Sequence, residues 1–328
     1  MRFGIVGCGS IAANSLAPSL VKSAEAELTA VCRRDRAKAE EFAGRFGGCA
    51  AYASAAELVT DDNVDAVIVS TPTDTHCEYT VLAAQHGKHV LCEKPMARDA
   101  AESRAMIEAC QQAGVKLAVA YRRRLFPQVV AAKQLIASGR IGRVVCVRTH
   151  YSGLSGLSSG SWQQESGIGG ALMEMAVHRI EVLLNFAGRP TTVSALVETV
   201  SQDWEVDDSN GLLLQFEDGK IGIHSTILTS PPRHDVAQVD GTEGRILIDP
   251  LEFHVGSIAI EGADGSEEHA VTPLESPFFD LPMIDDLVAA VREDREPVCD
   301  AATGHAVQAV ADAARRSAAE GVKVDVDA

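Results

Sequence analysis

The first 120 residues alternate short apolar runs with longer segments of helical period, and this alternation limits the fold more than any other feature. Successive parallel strands need a crossover connection, which is usually a helix. The pattern therefore predicts βαβ units and a parallel sheet. The predicted strands are Phe3–Val6, Leu28–Cys32, Ala66–Ser70, Lys88–Cys92 and Lys116–Ala120. The predicted helices lie near Ile11–Lys22, Arg36–Phe46, Thr75–His86 and Ala100–Ala113.

Beyond residue 121 the rhythm changes, because strand-like runs follow one another at short spacing. Strands joined in this way form a mainly antiparallel sheet. A chain of 328 residues is also too long to fold around one ordinary hydrophobic core, so two domains are expected. The predicted strands are Val144–Tyr151, Thr192–Thr199, Gly211–Phe216, Ile221–Thr229, Val236–Asp240 and Arg245–Ile248. Helices are predicted near Gly170–Ala187, Asp280–Arg292 and Ala301–Ala319.

The chain carries a strong negative charge. Its 29 lysine and arginine residues against 46 aspartate and glutamate residues give a net charge of −17 at pH 7. Such a surface repels phosphate backbones and anionic lipid head groups, so we expect neither nucleic acid nor a membrane surface as a partner. The hydrophobic fraction of 46% allows a sizeable core and excludes a disordered chain.

The sequence shows neither a membrane-spanning run nor an export signal. No apolar run approaches the roughly 18–20 residues that cross a bilayer, and Met1–Gly7 lacks the long apolar region of a signal peptide. The eight cysteines are scattered without a C-x-x-C pair, which is typical of reduced thiols in a cytosol and offers no zinc-ligand spacing. We therefore expect a cytoplasmic protein without a metal site.

The segment Gly7–Ala12 reads G-x-G-x-x-A, directly after the first predicted strand and at the start of the first predicted helix. Gly7 allows the tight turn, Gly9 lets the main chain approach a pyrophosphate without a Cβ clash, and the small Ala12 allows close packing of helix and strand. The N-terminus of the helix offers amide groups to the anion. The segment predicts a dinucleotide-binding site, with a purely structural glycine turn as the alternative.

The end of the second predicted strand distinguishes NAD from NADP. An acid there accepts hydrogen bonds from the ribose 2′-hydroxyl, whereas an arginine pairs with a 2′-phosphate. This chain has Arg33 and Arg34 where the acid is usually found, which favours NADP. Two alternatives stay open: Asp35 serves the ribose or caps the following helix, and both arginines are solvated surface charges.

Lys94 follows the predicted strand Lys88–Cys92, at the edge of an open α/β sheet where ligands bind. Near a cationic nicotinamide and partly removed from water, a lysine has its pKa lowered and can exchange a proton or polarise a substrate oxygen. Taken alone, a lysine at this position is more often an ordinary surface charge.

Several separated segments carry a resemblance that runs almost from end to end. They are Gly7–Ala12, Ser70–His76, Gly87–Pro95 with its E-K-P sequence, Tyr121–Pro127, Gly169–His178 and Gly241–Gly244. The segments resemble the family of glucose–fructose oxidoreductase, inositol dehydrogenase and the rhizopine-catabolism proteins (Gfo/Idh/MocA). The E-K-P run together with the downstream histidine helix is the specific part of the match.

The resemblance implies an α/β protein with a Rossmann domain over residues 1–121 and an α+β domain with an open, mostly antiparallel sheet over residues 122–328. It also implies hydride transfer between a nicotinamide and a sugar, sugar derivative or cyclitol. Lys94 and His178 are then the catalytic residues, and Arg124 reaches the substrate. The residues expected to bind the cofactor are Gly7, Gly9, Ser10, Ile11, Ala12, Arg33, Arg34, Thr71, Pro72, His76, Glu93, Lys94 and Trp162.

Two positions depart from the family pattern. Glu174 stands four residues before His178, where the family usually has aspartate, and Gln163 stands after Trp162, where an arginine is expected. Residues i and i+4 share a helix face, so Glu174 and His178 still point at the same site. Glu174 binds a substrate hydroxyl, orients the imidazole or does neither; we count it with the catalytic and substrate-binding residues.

These assignments predict a division of labour. His178 is the general base for the substrate hydroxyl in oxidation and the general acid in reduction, because histidine titrates at about pH 6.5. Lys94 stabilises the developing alkoxide. Of Arg122, Arg123 and Arg124, one is assigned to the substrate and the others to solvent or ion pairs.

Other hypotheses have less support in the residues. Gly156–Gly160 matches G-x-S-x-G of the α/β hydrolases, but it lies in the Gly/Ser-rich segment Ser152–Ser161, which we interpret as a mobile lid.

The leading hypothesis is an NADP-dependent sugar or polyol oxidoreductase. The alternatives are a catalytically silent dinucleotide or sugar sensor, which Glu174 keeps open, and an NAD-dependent inositol dehydrogenase. An open sheet face further predicts a homodimer or homotetramer.

Overall fold

The computed structural model describes residues 1–154, 162–164 and 167–327, with the side chain of Trp162 left out of the description. The hydrolase-like segment Gly156–Gly160 lies outside the described residues, and so does the predicted lid Ser152–Ser161 from residue 155 onward. The predicted contact of Trp162 with the nicotinamide also falls outside them.

Contacts group the chain into two units. Unit 1 comprises Met1–Arg122 and Glu275–His305, and unit 2 comprises Arg123–Leu274 and Ala306–Ala328. The single boundary after residue 121 that the sequence suggests differs from this grouping, because Arg122 and 31 residues near the C-terminus group with the N-terminal residues.

Among the described residues, unit 1 holds one parallel sheet. Its strands are β1 (Arg2–Val6), β2 (Glu27–Cys32), β3 (Ala50–Tyr52), β4 (Ala66–Val69), β5 (His89–Cys92) and β6 (Leu117–Val119). Their order is β3-β2-β1-β4-β5-β6, which is that of the Rossmann fold. Strand β4 is buried along its whole length, as expected where helices cover both faces. The predicted fold class of this unit is confirmed.

Two helices of unit 1 begin at an aspartate whose side chain caps them. Asp99 accepts a hydrogen bond from the main-chain N–H of Glu102 at one start, and Gly114 ends the same helix in the left-handed region with φ of 67°. Asp35 caps the helix after β2 by accepting from the N–H of Lys38, one of the two roles predicted for it. The helices are α1 (Ala17–Lys22), α2 (Arg36–Arg45), α3 (Ala55–Val59), α4 (His76–Gln85) and α5 (Ala100–Ala113).

The sequence does not predict β3 or α3. They span only three and five residues, and Ala50–Tyr52 has neither β-branched residues nor an alternating pattern. Strand β3 forms because its main chain pairs with β2, with Ala50 opposite Ala30 and Tyr52 opposite Cys32.

Among the described residues, unit 2 is built on one sheet of nine strands. They are β7 (Val144–Leu154), β8 (Pro190–Glu198), β9 (Ser209–Phe216), β10 (Ile221–Ile227), β11 (Thr229–Gly241), β12 (Gly244–Ile248), β13 (Ser257–Gly262), β14 (Gly265–Ala270) and β15 (Val324–Asp325). Their order is β14-β13-β12-β11-β7-β10-β9-β8-β15. Strands β7 and β10 are parallel and the other described neighbours are antiparallel, which confirms the predicted mostly antiparallel sheet.

One face of this sheet exposes apolar side chains. In β9 the side chains of Leu212 and Leu214 are buried, whereas Leu213 between them is 53% exposed. Ile221 and Ile223 of β10 are also exposed, and Ile223 lies opposite Leu213 in the register. The alternation buries one face on the unit's own core and leaves these three apolar side chains exposed on the other.

Helices α6 (Pro127–Ala137) and α7 (Val177–Ala187) belong to unit 2. The sequence does not predict α6, although Pro127 stands in the first turn, where proline is favoured. The predicted helix Gly170–Ala187 starts with a π-turn at Leu172–Ala176 before it continues as α7. No helix within the described residues is both long and apolar enough to cross a bilayer.

Helix α8 (Leu281–Arg292) and the start of α9 (Ala301–Glu320) pack with unit 1. The main-chain N–H of Val119 donates to the carbonyl oxygen of Cys299 at 2.8 Å. Arg122 donates to both carboxylate oxygens of Asp280, at 3.0 and 3.2 Å. These contacts tie Glu275–His305 to the N-terminal residues.

Candidate active site

The glycine loop after β1 has the geometry that a dinucleotide requires. Gly7 has φ of 102°, and a Cβ there would lie 2.5 Å from the carbonyl oxygen of Ser70. A Cβ on Gly9 would instead meet no described atom within 4 Å. Gly7 is therefore needed by the fold, whereas Gly9 borders open space.

A wide turn follows the glycine loop. The N–H of Ala17 donates to the carbonyl oxygen of Ala12, five residues back, so Ala12–Leu16 is a π-turn. Ala12 is fully buried, whereas Ser10 and Ile11 are exposed. The start of this helix therefore faces solvent at Ser10 and Ile11.

A positively charged pocket of about 300 Å³ opens beside the glycine loop. Arg33 reaches it from the end of β2, and its guanidinium donates to the carbonyl oxygen of Cys8 at 3.3 Å. Lys38 and Arg45 reach it from α2, so three cations face the single carboxylate of Glu41 among the described lining residues. The lining residues are Cys8, Gly9, Ser10, Ala13, Arg33, Lys38, Glu41, Phe42 and Arg45.

Lys38 and Arg45 are not among the cofactor-binding residues predicted from the sequence. Their spacing is nevertheless a usable signal, because residues seven apart lie on one face of a helix after two turns. Arg34, which the sequence groups with Arg33, is not among the described residues that line this pocket. The positive charge of the pocket therefore comes from Arg33 and α2.

His76 connects the loop after β4 to the loop that carries Lys94. Its Nδ1 lies 2.8 Å from the carbonyl oxygen of Pro95, and its Nε2 lies 2.9 Å from that of Thr71. Burial lowers the pKa of His76, so the ring is neutral near pH 7 and donates through one nitrogen at a time. The ring is 1% exposed, so it holds the two loops, whereas Thr71 and Pro72 are only half-buried.

Lys94 lies just beyond the C-terminal end of β5. Its main-chain N–H donates to Oε2 of Glu93 at 3.2 Å. Burial raises the pKa of Glu93 to about 7, against the opposing charges of Arg122 and Lys94. Glu93 therefore exchanges a proton close to neutral pH, one residue away from the predicted catalytic lysine.

In unit 2, two glycines shape the entry to the helix with the predicted catalytic histidine. A Cβ on Gly169 would overlap the main-chain carbonyl of Gln163. Gly170 has φ of 93°, and a Cβ there would overlap the carboxylate of Asp207. Larger residues at either position would displace the loops that meet here.

Asp207 caps the start of this helix from a distant part of the sequence. Its Oδ2 accepts from the N–H of Leu172 at 2.9 Å, and its main-chain carbonyl accepts from the N–H of Ala171 at 2.8 Å. The side chain of Asn210 also donates to Oδ2, at 3.1 Å. The loop around Asp207 thus holds the first turn of the helix in place.

Asp207 is also expected to make stability depend on pH. Burial raises its pKa to about 6, from an ordinary value of 3.8. The folded state therefore holds a proton that the unfolded state releases between about pH 4 and 6, so the free energy of unfolding falls by about 3 kcal/mol as the pH rises through this window. Asp207→Asn keeps an oxygen for the N–H of Leu172 and removes this titration.

Urea unfolding below and above this window measures the effect. Relative to Asp207→Asn, the wild type should lose free energy of unfolding as the pH rises, and Asp203→Asn, an exposed carboxylate in the same loop, should follow the wild type. The same pH dependence in the wild type and in Asp207→Asn would show that Asp207 does not titrate in this range.

Glu174 and His178 are both buried, with 5% and 6% exposure. Glu174 lies in the π-turn, and His178 is the second residue of α7. The amide nitrogen of Gln163 donates to Oε2 of Glu174 at 2.8 Å. The two positions that depart from the family pattern therefore contact each other.

Each arginine of the cluster 122–124 has a carboxylate partner. Arg124, which is expected to reach the substrate, is about one-fifth exposed and donates through Nε to the buried Glu181. The pairs are Arg122 with Asp280 at 3.0 Å, Arg123 with Asp235 at 3.5 Å and Arg124 with Glu181 at 2.5 Å. Substrate binding by Arg124 stays a prediction.

The cysteines are free thiols. Burial raises the pKa of Cys8 to about 12 and that of Cys32 to about 11, so neither is a thiolate near neutral pH. Within the described residues, no group of three or more His, Cys, Asp or Glu side chains is arranged to hold a metal ion.

Comparison with known proteins agrees with this geometry. Residues 1–121 match the family described as "Oxidoreductase family, NAD-binding Rossmann fold", and residues 129–247 match "GFO/IDH/MocA C-terminal domain". D-xylose 1-dehydrogenase (NADP(+)) 2 of Haloferax volcanii is 30% identical over 331 residues, covering 100% of both chains. Inositol 2-dehydrogenase of Rhizobium meliloti is 30% identical over 338 residues, covering 99% of both.

A solved structure has the same fold along nearly the whole chain. The crystal structure of aldose-aldose oxidoreductase from Caulobacter crescentus, complexed with glycerol, has a TM-score of 0.91 to this chain at 26% identity and covers 99% of both chains. The matches include both units, with the glycine loop after β1 and the loop that carries Lys94. This chain therefore belongs to the Gfo/Idh/MocA family of oxidoreductases.

Proposed function

We propose that this protein is an oxidoreductase that prefers NADP and transfers a hydride between the nicotinamide and a sugar, sugar derivative or polyol. The positive pocket beside the glycine loop is the observation that supports NADP, because Arg33, Lys38 and Arg45 would hold a 2′-phosphate there. Asp35 is already used as a helix cap, which weakens the case for a ribose-binding acid.

The chain's own side chains supply the proton chemistry. When bound, the nicotinamide supplies the hydride acceptor or donor. His178 takes the proton of the substrate hydroxyl in oxidation and returns it in reduction. Lys94 stabilises the negative charge that develops on the substrate oxygen. Glu174, held by Gln163, accepts a hydrogen bond from a substrate hydroxyl.

The substrate class rests on family membership and on the relatives. The relatives named above act, by their names, on xylose and inositol. NAD-dependent oxidation of an inositol is the second candidate function, because inositol 2-dehydrogenase matches over nearly the whole chain. A catalytically silent sensor would need neither Lys94 nor His178, so their presence favours an enzyme.

Parallel fluorescence titrations with NADPH and NADH test the proposal, followed by keto-sugars and inosones added to the tighter complex. Preferential binding of NADPH with consumption on one substrate is the expected result. Preferential binding of NADH with consumption on an inosone would support the second candidate. Tight binding without consumption on any substrate would favour the sensor, and absence of binding would contradict the cofactor site.

Arg33→Asp is expected to weaken NADPH binding by about 10- to 100-fold, because the 2′-phosphate loses a charged hydrogen bond and meets a carboxylate. NADH binding should change much less. Arg36→Asp is the matched control, since Arg36 is exposed on α2, pairs with Glu40 and is not among the described pocket residues. An unchanged NADPH to NADH ratio in Arg33→Asp would remove Arg33 from the cofactor site.

We further propose a homo-oligomer that buries the apolar sheet face around Leu213, Ile221 and Ile223. Sedimentation velocity is expected to show a dimer or tetramer, and a monomer at micromolar concentration would contradict this.

The free thiols and the acidic surface support a cytoplasmic location, which cell fractionation tests.

A further inference from the structure

Arg179 is a fully buried arginine directly after His178 in α7. Its Nε donates to Oδ1 of Asp235 at 2.9 Å, and its Nη2 donates to the other oxygen of the same carboxylate. Asp235 is itself 1% exposed. A guanidinium held by two parallel bonds has a fixed position and a fixed plane.

The third nitrogen of the guanidinium binds the turn that precedes α7. Nη1 of Arg179 donates to the carbonyl oxygen of Met175 at 3.0 Å. Met175 lies in the π-turn Leu172–Ala176, which is closed by a bond from the N–H of Val177 to the carbonyl oxygen of Leu172. Turns of this width are rare and frequently mark functional sites. Arg179 is itself a residue of α7, and its side chain therefore also binds the turn that precedes this helix.

The other partners of the guanidinium lie on two strands of the unit 2 sheet. Asp235 of β11 lies opposite Tyr151 of β7 in the strand register. The guanidinium of Arg179 lies 4.4 Å from the centre of the Tyr151 ring, and Arg123 approaches the carboxylate of Asp235 at 3.5 Å. The position of the guanidinium is thus set by two paired strands.

We propose that Arg179 is a positioning residue that, paired with Asp235, fixes the π-turn at Met175 and so sets where Glu174 and His178 point. Glu174 directly precedes Met175, and His178 directly precedes Arg179. Glu174 is therefore next to the residue whose carbonyl oxygen the guanidinium binds, and His178 is next to the arginine itself. The inference rests on the proposed function, in which Glu174 and His178 act on the substrate.

Two substitutions separate positioning from simple charge pairing. Arg179→Met leaves the buried carboxylate of Asp235 without its two-pronged partner, so a lower melting temperature is expected. Arg179→Lys keeps a positive charge for Asp235 but cannot hold that carboxylate and the Met175 carbonyl in the same fixed plane. If Arg179 only neutralised a buried charge, lysine would restore both stability and activity.

The experiment measures the melting temperature, kcat, KM and the NADPH dissociation constant of both variants, together with hydrogen exchange of residues 171–178. For Arg179→Lys we expect a melting temperature close to that of the wild type, unchanged NADPH binding and a kcat lower by about 100-fold, the cost of misplacing a reacting group by about 1 Å. Amide exchange in residues 171–178 should be faster. Arg148→Met, which removes an exposed pair with Asp240 on the same two strands, is the control with unchanged kcat.

Wild-type kcat in Arg179→Lys would overturn the proposal, and so would unchanged exchange in residues 171–178. A wild-type protein without turnover on the whole panel would contradict the proposed function instead. The exchange measurement needs no substrate, so it still decides whether Arg179 fixes the turn.

Discussion

Lys94→Ala is expected to lower kcat by about 100- to 1,000-fold, the usual effect of removing one group that stabilises a developing oxyanion. The NADPH dissociation constant should stay close to that of the wild type, because the charge acts mainly on the transition state and not on cofactor binding. Steady-state kinetics with the substrate found in the panel, together with an NADPH fluorescence titration, measures both quantities.

Lys116→Ala is the matched control for this substitution. Lys116 directly precedes β6 and pairs with Asp294 and Glu296 at the surface of unit 1. Lys116→Ala removes the same kind of side chain from a different part of unit 1 and leaves the loop that carries Lys94 unchanged, so kcat should be retained. A wild-type kcat in Lys94→Ala would end the assignment of Lys94 as a catalytic residue.

His178→Asn is expected to lower kcat by about 100- to 10,000-fold, the range for loss of a positioned general acid or base. Asparagine is preferred to alanine, because His178 is buried and a large deletion would leave a cavity that lowers stability by itself. The variant should also lose the limb of the pH–rate profile that reports ionisation of the general base, which a stopped assay over a range of pH detects.

His269→Ala serves as the control, since His269 lies on β14, where every side chain is exposed. It should leave both kcat and the pH–rate profile unchanged. If His178→Asn kept the wild-type pH–rate profile and only lowered kcat, a different group would be the general base. Glu93, whose pKa burial raises to about 7, would then be the next residue to replace.

Several functional elements could be predicted from the sequence because they depend on neighbouring residues. The turn at Gly7 needs a positive φ, which the sequence marks with glycine after an apolar strand. The helix between Asp99 and Gly114 is bounded by a cap residue on each side. The pattern of Lys38 and Arg45 was also available, because seven-residue spacing on a helix depends only on the helical repeat.

Other features could not be predicted from the sequence, because no pattern of neighbouring residues marks them. Strand β14 has the sequence Gly-Ser-Glu-Glu-His-Ala and is exposed along its whole length, so it shows no apolar alternation. Its charges are typical of an edge strand that must not pair with other chains. The contact between Gln163 and Glu174 was equally invisible, since the two residues were identified only as separate departures from a family pattern.

By itself, the sequence determined the strands and helices of the Rossmann unit other than β3 and α3, the dinucleotide loop and the family, because periodicity, caps and glycine positions act within a few residues. The tertiary structure alone decided that Glu275–His305 packs with the N-terminal residues. It also brought Asp207 to Leu172 and Asp235 to Arg179, across 35 and 56 residues of chain. Such partners meet only once the whole sheet has set the path of the chain, and no local signal records which distant residue arrives.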